Sequence, residues 1–138
     1  MSTRKQHFIG NTWCEPRLGG YLPIIDLLYR LAAAVQDRSE EFALLEAQDT
    51  GKSITTARTD ALYLARYLEF YAGACDKLHG ETIPFQTGYT VMTLREPHGV
   101  TGHIIPWNYP IQIAGRTVGA ALATGNACVV KPAKDASQ

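Results

Sequence analysis

The stretch GVTGHIIPWNYPIQIAGRTVGAALATGNACVVKP, Gly99 to Pro132, changes its hydrophobic pattern twice and thereby decides the fold. Two short runs rich in β-branched residues, GVTGHIIP and ACVVKP, predict strands. Between them, a longer apolar run from Ile111 to about Ala123 predicts a helix, and Gly125 and Asn126 mark its end. This order predicts a βαβ unit, whose two strands we expect to be parallel and buried on both faces.

Upstream, apolar spacing predicts a helix from Leu22 to Asp37. Its expected apolar face consists of Ile24, Leu28, Leu31 and Val35, widened by Ile25 and Ala32. Ser39 is predicted to cap a second helix and Gly51 to end it, because hydroxyl side chains favour helix starts and glycine favours helix ends.

Ser53 is predicted to cap a third helix, which Gly80 ends. The apolar face of this helix is expected at Ala61, Leu64, Leu68, Tyr71 and Cys75, which alternate spacings of three and four. Two further strands are predicted, one short strand in QHFIGNTW near the N-terminus and one in YTVMTLRE, joined to GVTGHIIP by a Pro-His-Gly turn.

Composition narrows the function classes. The chain has 138 residues, of which 46% are hydrophobic, and thirteen basic residues balance thirteen acidic ones. That length and composition are typical of one globular domain. Zero net charge argues against nucleic acid and against an anionic membrane as partners. Because no apolar run is long enough for a membrane span or a signal peptide, a cytoplasmic location is expected.

The cysteines and histidines show no metal-binding pattern. Cys14, Cys75 and Cys128 are an odd number without CxxC spacing, which argues against disulfides and against a zinc site. The histidines also lack ligand spacing: His7, His79, His98 and His103. We therefore predict no metal site.

Two polar segments follow the strands of the predicted βαβ unit, PWNYP after the first and KPAK after the second. Ligands of open α/β sheets bind at the carboxyl ends of strands, so Asn108 and Lys131 are candidate ligand contacts. The alternatives are a turn asparagine that bonds its own backbone and a solvated lysine. A GxGxxG fingerprint and a Walker loop are both absent.

The string REPHGVTGHIIPWNYPIQIAGRTVGAALATGNACVVKPAK resembles the first half of the cofactor domain in the NAD(P)-dependent aldehyde dehydrogenase superfamily. EAQDTGKS, YAGACDKLHGETIP and the helices before them resemble its N-terminal helical segment, so the resemblance runs from about Leu22 to the C-terminus. It implies an α/β fold: N-terminal helices plus the first βαβ part of the cofactor domain, with an incomplete parallel sheet. Residues 1–138 are then expected to be a partial cofactor-binding domain, with the catalytic domain absent.

The resemblance also implies residue roles. Asn108 would help to hold the oxyanion that forms at the substrate carbonyl, and Lys131 would bind the adenosine ribose of NAD or NADP. The residues implied to contact the nicotinamide side are Ile104, Ile105, Pro106 and Trp107. Lys134 stands where the family commonly has a ribose-binding glutamate, and we expect this cation to favour the 2′-phosphate of NADP.

The reaction implied by the resemblance is oxidation of an aldehyde to a carboxylic acid. The family's nucleophilic cysteine, its general-base glutamate and its pyrophosphate-binding glycine turn lie beyond Gln138, and no cysteine of this chain has the nucleophile's context. We therefore expect an N-terminal fragment that is inactive alone and that forms a homo-oligomer or pairs with a complementary half. Two alternatives stay open: a non-catalytic binding or assembly module that pairs through YTVMTLRE, and the remnant of a disrupted gene.

Overall fold

The computed structural model describes residues 23–136 and the backbone of two short strands before them. These strands, β1 (His7–Ile9) and β2 (Thr12–Cys14), pair antiparallel with Phe8 opposite Trp13. The sequence predicts one strand here, and the structure corrects this to two. A Gly-Asn pair, which favours chain reversal, separates them in the sequence.

Four helices make up most of the described part of the chain: α1 (Ile24–Asp37), α2 (Ser39–Thr50), α3 (Ile54–Ala74) and α4 (Pro110–Ala123). The long α3 lies at the centre, because α1, α2 and α4 all pack against it. The main core consists of Leu28, Ala32, Val35, Leu64, Ala65, Leu68, Ala72 and Ala123. A second cluster joins α2 to α3 through Ala43, Ala57 and Ala61. The predicted apolar face of α3 is therefore confirmed.

The face that α1 buries is narrower than its apolar pattern predicts. Leu28, Ala32 and Val35 are buried, whereas Leu31 is 39% exposed. Leu31 lies at the edge of the apolar stripe, and the buried face is restricted to the centre of that stripe.

The structure confirms three of the five predicted helix caps and stops. Gly51 ends α2 in the left-handed conformation with φ of 73°, and the Ser53 hydroxyl accepts a backbone N–H of the first turn of α3 at 3.3 Å. Gly125 follows α4 with φ of 79°. The Ser39 cap is wrong, because Ser39 is already helical and Arg38 precedes it without any side-chain capping bond.

Gly80 does not end α3, which stops at Ala74. A Cβ at Gly80 would lie 1.9 Å from the carbonyl oxygen of Thr93, so this glycine permits a close approach of two backbone segments. Beside that contact, β3 (Thr82–Ile83) pairs antiparallel with β4 (Val91–Met92). The strand predicted in YTVMTLRE is therefore much shorter than expected, and its partner β3 was not predicted.

The predicted βαβ unit is confirmed. Strand β5 (Val100–Ile104) pairs parallel with β6 (Ala127–Lys131), with α4 between them in the chain. Burial of both faces is wrong, since Val100 is 68% exposed and Val129 is 62% exposed. Only two strands form this sheet among the described residues, and α4 is the helix that packs on it.

A buried asparagine joins the amino ends of the two parallel strands. Asn126 is 8% exposed, and its Oδ1 accepts the backbone N–H of Gly99 at 3.0 Å. Its Nδ2 donates to the Thr124 hydroxyl at 2.7 Å, while the Ala127 N–H donates to the Gly99 carbonyl at 2.8 Å. These bonds fix where β6 starts relative to β5.

Two glycines let α4 approach α3 closely. A Cβ at Gly115 would lie 2.6 Å from Cδ1 of Leu64, and a Cβ at Gly119 would lie 2.7 Å from Cδ2 of Tyr71. Both distances are too short for a real contact, so the two helices are packed at the closest separation that their side chains allow.

Gly119→Ala is expected to destabilise the chain, because the added methyl group meets a tyrosine ring that cannot move aside freely. Overpacking of this kind costs about 1–3 kcal/mol, which exceeds the gain of about 1 kcal/mol from replacing a helical glycine. Gly73→Ala is the matched control, since its Cβ would meet only the Tyr29 hydroxyl at 3.7 Å. In urea unfolding, Gly119→Ala should have a lower midpoint than the original chain, whereas Gly73→Ala should not. Equal midpoints for the two variants would contradict the close packing.

Candidate functional site

The carboxyl ends of β5 and β6 form one edge of the parallel pair. Ile104 lies opposite Lys131 in the register, and the Ile105 N–H donates to the Lys131 carbonyl at 3.0 Å. The loop at 105–109 and the segment at 132–136 therefore leave the sheet side by side. The structure thus brings the predicted site residues together at one edge, with Ile104 and Lys131 as the last residues of the two strands and the others in the two segments that follow.

The side chains along this edge differ in what they can offer to a ligand. Ile104 is 80% exposed and Trp107 is 62% exposed, so both present apolar surface at the strand end. Pro106 is exposed between them. Ile105 is only 3% exposed, and its N–H is already bonded to Lys131, which leaves its carbonyl as the group available to a ligand.

Asn108 has a free side-chain amide at the start of α4. It is exposed, and within residues 23–136 it makes no hydrogen bond, so its amide is not used to close the turn. Tyr109 follows it as the N-cap and Pro110 as the first residue of α4. The first turn of α4 contains no acidic residue. The positive end of the helix is therefore next to an unused amide donor.

The two candidate lysines lie on the neighbouring segment. Lys131 is exposed, and its Nζ donates to the Pro132 carbonyl at 3.4 Å. Lys134 is exposed in a turn that the Ala136 N–H closes onto the Ala133 carbonyl at 3.3 Å. Both ammonium groups are therefore accessible at the same edge as Trp107.

Behind the loop lies a buried ionic network that no sequence pattern predicts. The Lys52 ammonium donates to Glu46 Oε1 and to Asp60 Oδ2, both at 2.6 Å, and lies 4.4 Å from the centre of the Tyr109 ring. Gln112 Nε2 donates to the other oxygen of Asp60. The network joins residues far apart in sequence, so no helix-face spacing reveals it; the only local signal is the DTGK stretch around Lys52.

Charge is unevenly compensated in this network. Lys52 has a side chain only 13% exposed, and Oε2 of the buried Glu46 has no hydrogen-bond partner among the described residues. Burial raises the pKa of Glu46, although the bond from Lys52 opposes this shift. Burial also lowers the pKa of Lys52, but its hydrogen bonds to Asp60 and Glu46, together with the attraction of their charges, raise that pKa overall.

The described cysteines do not resemble an activated nucleophile. The Cys75 thiol donates to the Tyr71 carbonyl at 3.2 Å, and burial raises the pKa of this thiol, which favours the unreactive protonated form. Cys128 is partly buried within β6, 3.9 Å from the Thr101 hydroxyl. The side chain of Cys14 lies outside the described residues.

Two other kinds of site are absent from the part of the chain that the structure describes. No group of three or more His, Cys, Asp or Glu residues is placed to hold a metal ion. The His103 ring, for example, has the Thr101 hydroxyl as its neighbour at 2.8 Å. None of the helices among these residues is both long enough and apolar enough to cross a membrane.

Comparisons with known proteins agree on one family. The profile described as the aldehyde dehydrogenase family matches residues 24–138. A hydroxyisobutyraldehyde dehydrogenase of Mycolicibacterium austroafricanum is 49% identical over 111 residues, which are 80% of this chain and 22% of that protein. The mitochondrial aldehyde dehydrogenase family 2 member B4 of Arabidopsis thaliana is 47% identical over 78% of this chain and 20% of its own length. The chain thus spans about a fifth of these relatives.

Solved structures show the same likeness. A putative aldehyde dehydrogenase from Burkholderia cenocepacia matches with a TM-score of 0.79 and 48% identity over 96% of this chain and 37% of that one. The NAD+ complex of an aldehyde dehydrogenase from Bacillus cereus matches with a TM-score of 0.79 and 39% identity over 83% of this chain and 24% of that one. On this family match, and on the fold that accompanies it, the chain belongs to the aldehyde dehydrogenase family.

Proposed function

We propose that these residues form part of an NAD(P)-dependent aldehyde dehydrogenase that oxidises an aldehyde to a carboxylic acid, and that they supply its oxyanion donor. The observation that carries the proposal is the free amide of Asn108. It is exposed at the carboxyl edge of β5 and β6, beside the positive end of α4, within the region that the family profile matches.

The role of Asn108 follows from how charge develops in the reaction. When a thiolate attacks the aldehyde carbon, the carbonyl oxygen becomes negative, and an amide N–H already aimed at it stabilises that charge without reorganisation. Asn108 has no competing bond among the described residues, so its Nδ2 is available for this purpose. The start of α4 adds a favourable potential for an anion at the same place.

The edge residues fit a dinucleotide cofactor. Ile104 and Trp107 offer exposed apolar surface for the nicotinamide side, and the carbonyl of Ile105 is available as an acceptor. Lys131 and Lys134 offer accessible N–H donors, which suit ribose hydroxyls or phosphates. The cofactor, when bound, accepts the hydride that the former aldehyde carbon loses.

We further propose that residues 1–138 do not oxidise aldehydes without additional protein. They act as part of a cofactor-binding domain, and the nucleophile and general base come from a catalytic domain outside them. Neither Cys75, a partly buried thiol whose pKa is raised by burial, nor Cys128 within β6 has the electropositive, accessible surroundings of an activated cysteine. Without a nucleophile in place, Asn108 has no developing oxyanion to stabilise.

The first test joins residues 1–138 to the downstream part of the Mycolicibacterium relative. The chimera should form NADH or NADPH from aldehyde, whereas residues 1–138 alone should form neither. In the chimera, Asn108→Ala should lower kcat by about 100- to 1,000-fold, corresponding to about 2.7–4 kcal/mol, because one oxyanion donor is lost. Gln86→Ala, at an exposed amide outside the site, is the matched control. An unchanged kcat for Asn108→Ala would contradict the proposed role.

Lys134 is proposed to favour NADP over NAD, since an ammonium attracts the 2′-phosphate that a carboxylate would repel. In the same chimera, Lys134→Glu should shift the ratio of kcat/KM values toward NAD by about tenfold or more, the effect of one charged hydrogen bond. Lys77→Glu changes the net charge equally at an exposed residue after the end of α3 and should leave the ratio unaltered. If both variants keep the original ratio, Lys134 does not read the cofactor.

Residues 1–138 alone are proposed to self-associate or to pair with a complementary half, because the parallel strands expose apolar side chains. Light scattering should give a mass above that of one chain, and Val129→Lys should lower it by placing a charge on this sheet. Phe85→Lys is the control, since Phe85 is 64% exposed outside the parallel pair. A monodisperse monomer with the original sequence would rule out this association.

A further inference from the structure

The ionic network around Lys52 reaches the start of α4 at two residues, Tyr109 and Gln112. Lys52 lies in the connection between α2 and α3, with its ammonium held by one carboxylate from each helix, Glu46 and Asp60. An ammonium has three donors, and these two bonds leave one side of it facing the ring of Tyr109 at 4.4 Å. Tyr109 is the residue directly after Asn108.

The second connection runs through Asp60. Its Oδ2 accepts from Lys52, while its Oδ1 accepts from the Gln112 amide in the first turn of α4. One carboxylate therefore links the ammonium to α4, and the ammonium contacts the loop through Tyr109. The two attachments, at Tyr109 and Gln112, bracket the start of α4, and Asn108 directly precedes the first of them.

Stability alone does not explain this arrangement. Two buried carboxylates face one ammonium, and Oε2 of Glu46 has no partner among the described residues. Buried ion pairs of this kind are often no more stabilising than apolar residues of the same size. A surface ion pair, which requires less desolvation, already links the same helices: Arg58 of α3 pairs with Glu40 of α2 at 2.7 Å.

We propose that Lys52 is a positioning residue that holds Tyr109, and thereby fixes the loop that presents Asn108. A cation within about 6 Å of an aromatic ring is attracted to its face, and shielding of the cation from water strengthens this attraction. The Lys52 side chain is 13% exposed, whereas Tyr109 is 44% exposed, so the contact is shielded on the lysine side. The ordering of the loop rests on these contacts alone, while its use in orienting an oxyanion donor rests on the proposed function.

The test measures loop order in the full chain, without aldehyde or cofactor. Trp13→Phe leaves Trp107 as the only tryptophan, inside the loop. Loop exchange is measured at the two hydrogen-bonded amides that flank the loop, Ile105 and Ile113, the second of which donates to the Tyr109 carbonyl. In this background Lys52→Met and Tyr109→Leu should each speed that exchange by about tenfold. Both should also increase acrylamide quenching of Trp107 fluorescence.

Two controls separate positioning from general stability. Tyr109→Phe keeps the ring and should leave loop exchange unchanged, and Arg58→Met removes an ion pair between the same helices without touching the loop. A purely structural role for Lys52 would speed exchange in the α3 core and the loop together, and that result overturns the proposal. If Lys52→Met does not fold, Tyr109→Leu decides, because it leaves the ionic network intact; loop exchange equal to that of Tyr109→Phe overturns the proposal.

These outcomes are distinguishable from failure of the proposed function. Neither amide exchange nor tryptophan quenching requires a substrate, so an inactive or unaffected chimera leaves the result on Lys52 standing. Conversely, a loop that stays ordered without Lys52 would overturn the positioning role even if Asn108→Ala lowers kcat as expected.

Discussion

The close contact between α3 and α4 is the constraint on which the candidate site depends. Gly115 and Gly119 allow α4 to approach Leu64 and Tyr71 at a separation that a methyl group would prevent. Since α4 connects the two parallel strands in the chain, the position at which it packs along α3 also positions the strand ends. Asn108 at the helix start and Lys131 at the end of β6 therefore share one edge as a consequence of helix packing.

Different physical forces hold the two ends of that arrangement. The middle of α4 is held by van der Waals packing, which is short-ranged and tolerates almost no change in volume. Its start is held by charge and hydrogen bonding, through Asp60 to Gln112 and through Lys52 to the ring of Tyr109. Packing thus sets the depth of the helix, and the buried network sets the direction in which its first turn faces.

Local features were predictable from sequence, and long-range ones were not. The stop at Gly51, the cap at Ser53 and the parallel βαβ unit depend on residues within one turn or on a single crossover, and all three are confirmed. The prediction for Ser39 is wrong because serine is common both at the cap and at the first position of a helix, so its identity does not distinguish the two. The prediction for Gly80 is wrong because a glycine is required there by the close backbone of Thr93, which only the folded chain brings near.

The candidate site divides in the same way. PWNYP and KPAK mark the strand ends in the sequence, but their meeting depends on the strand register, and the network behind them joins Lys52 to residues of two other segments. At the other end of the parallel pair, where both strands begin, the hydrogen bonds of Asn126 with Gly99 and Thr124 fix the two strands relative to each other. Because these bonds lie at the end of the pair opposite PWNYP and KPAK, a substitution in either of those segments would leave the bonds that set the strand register untouched.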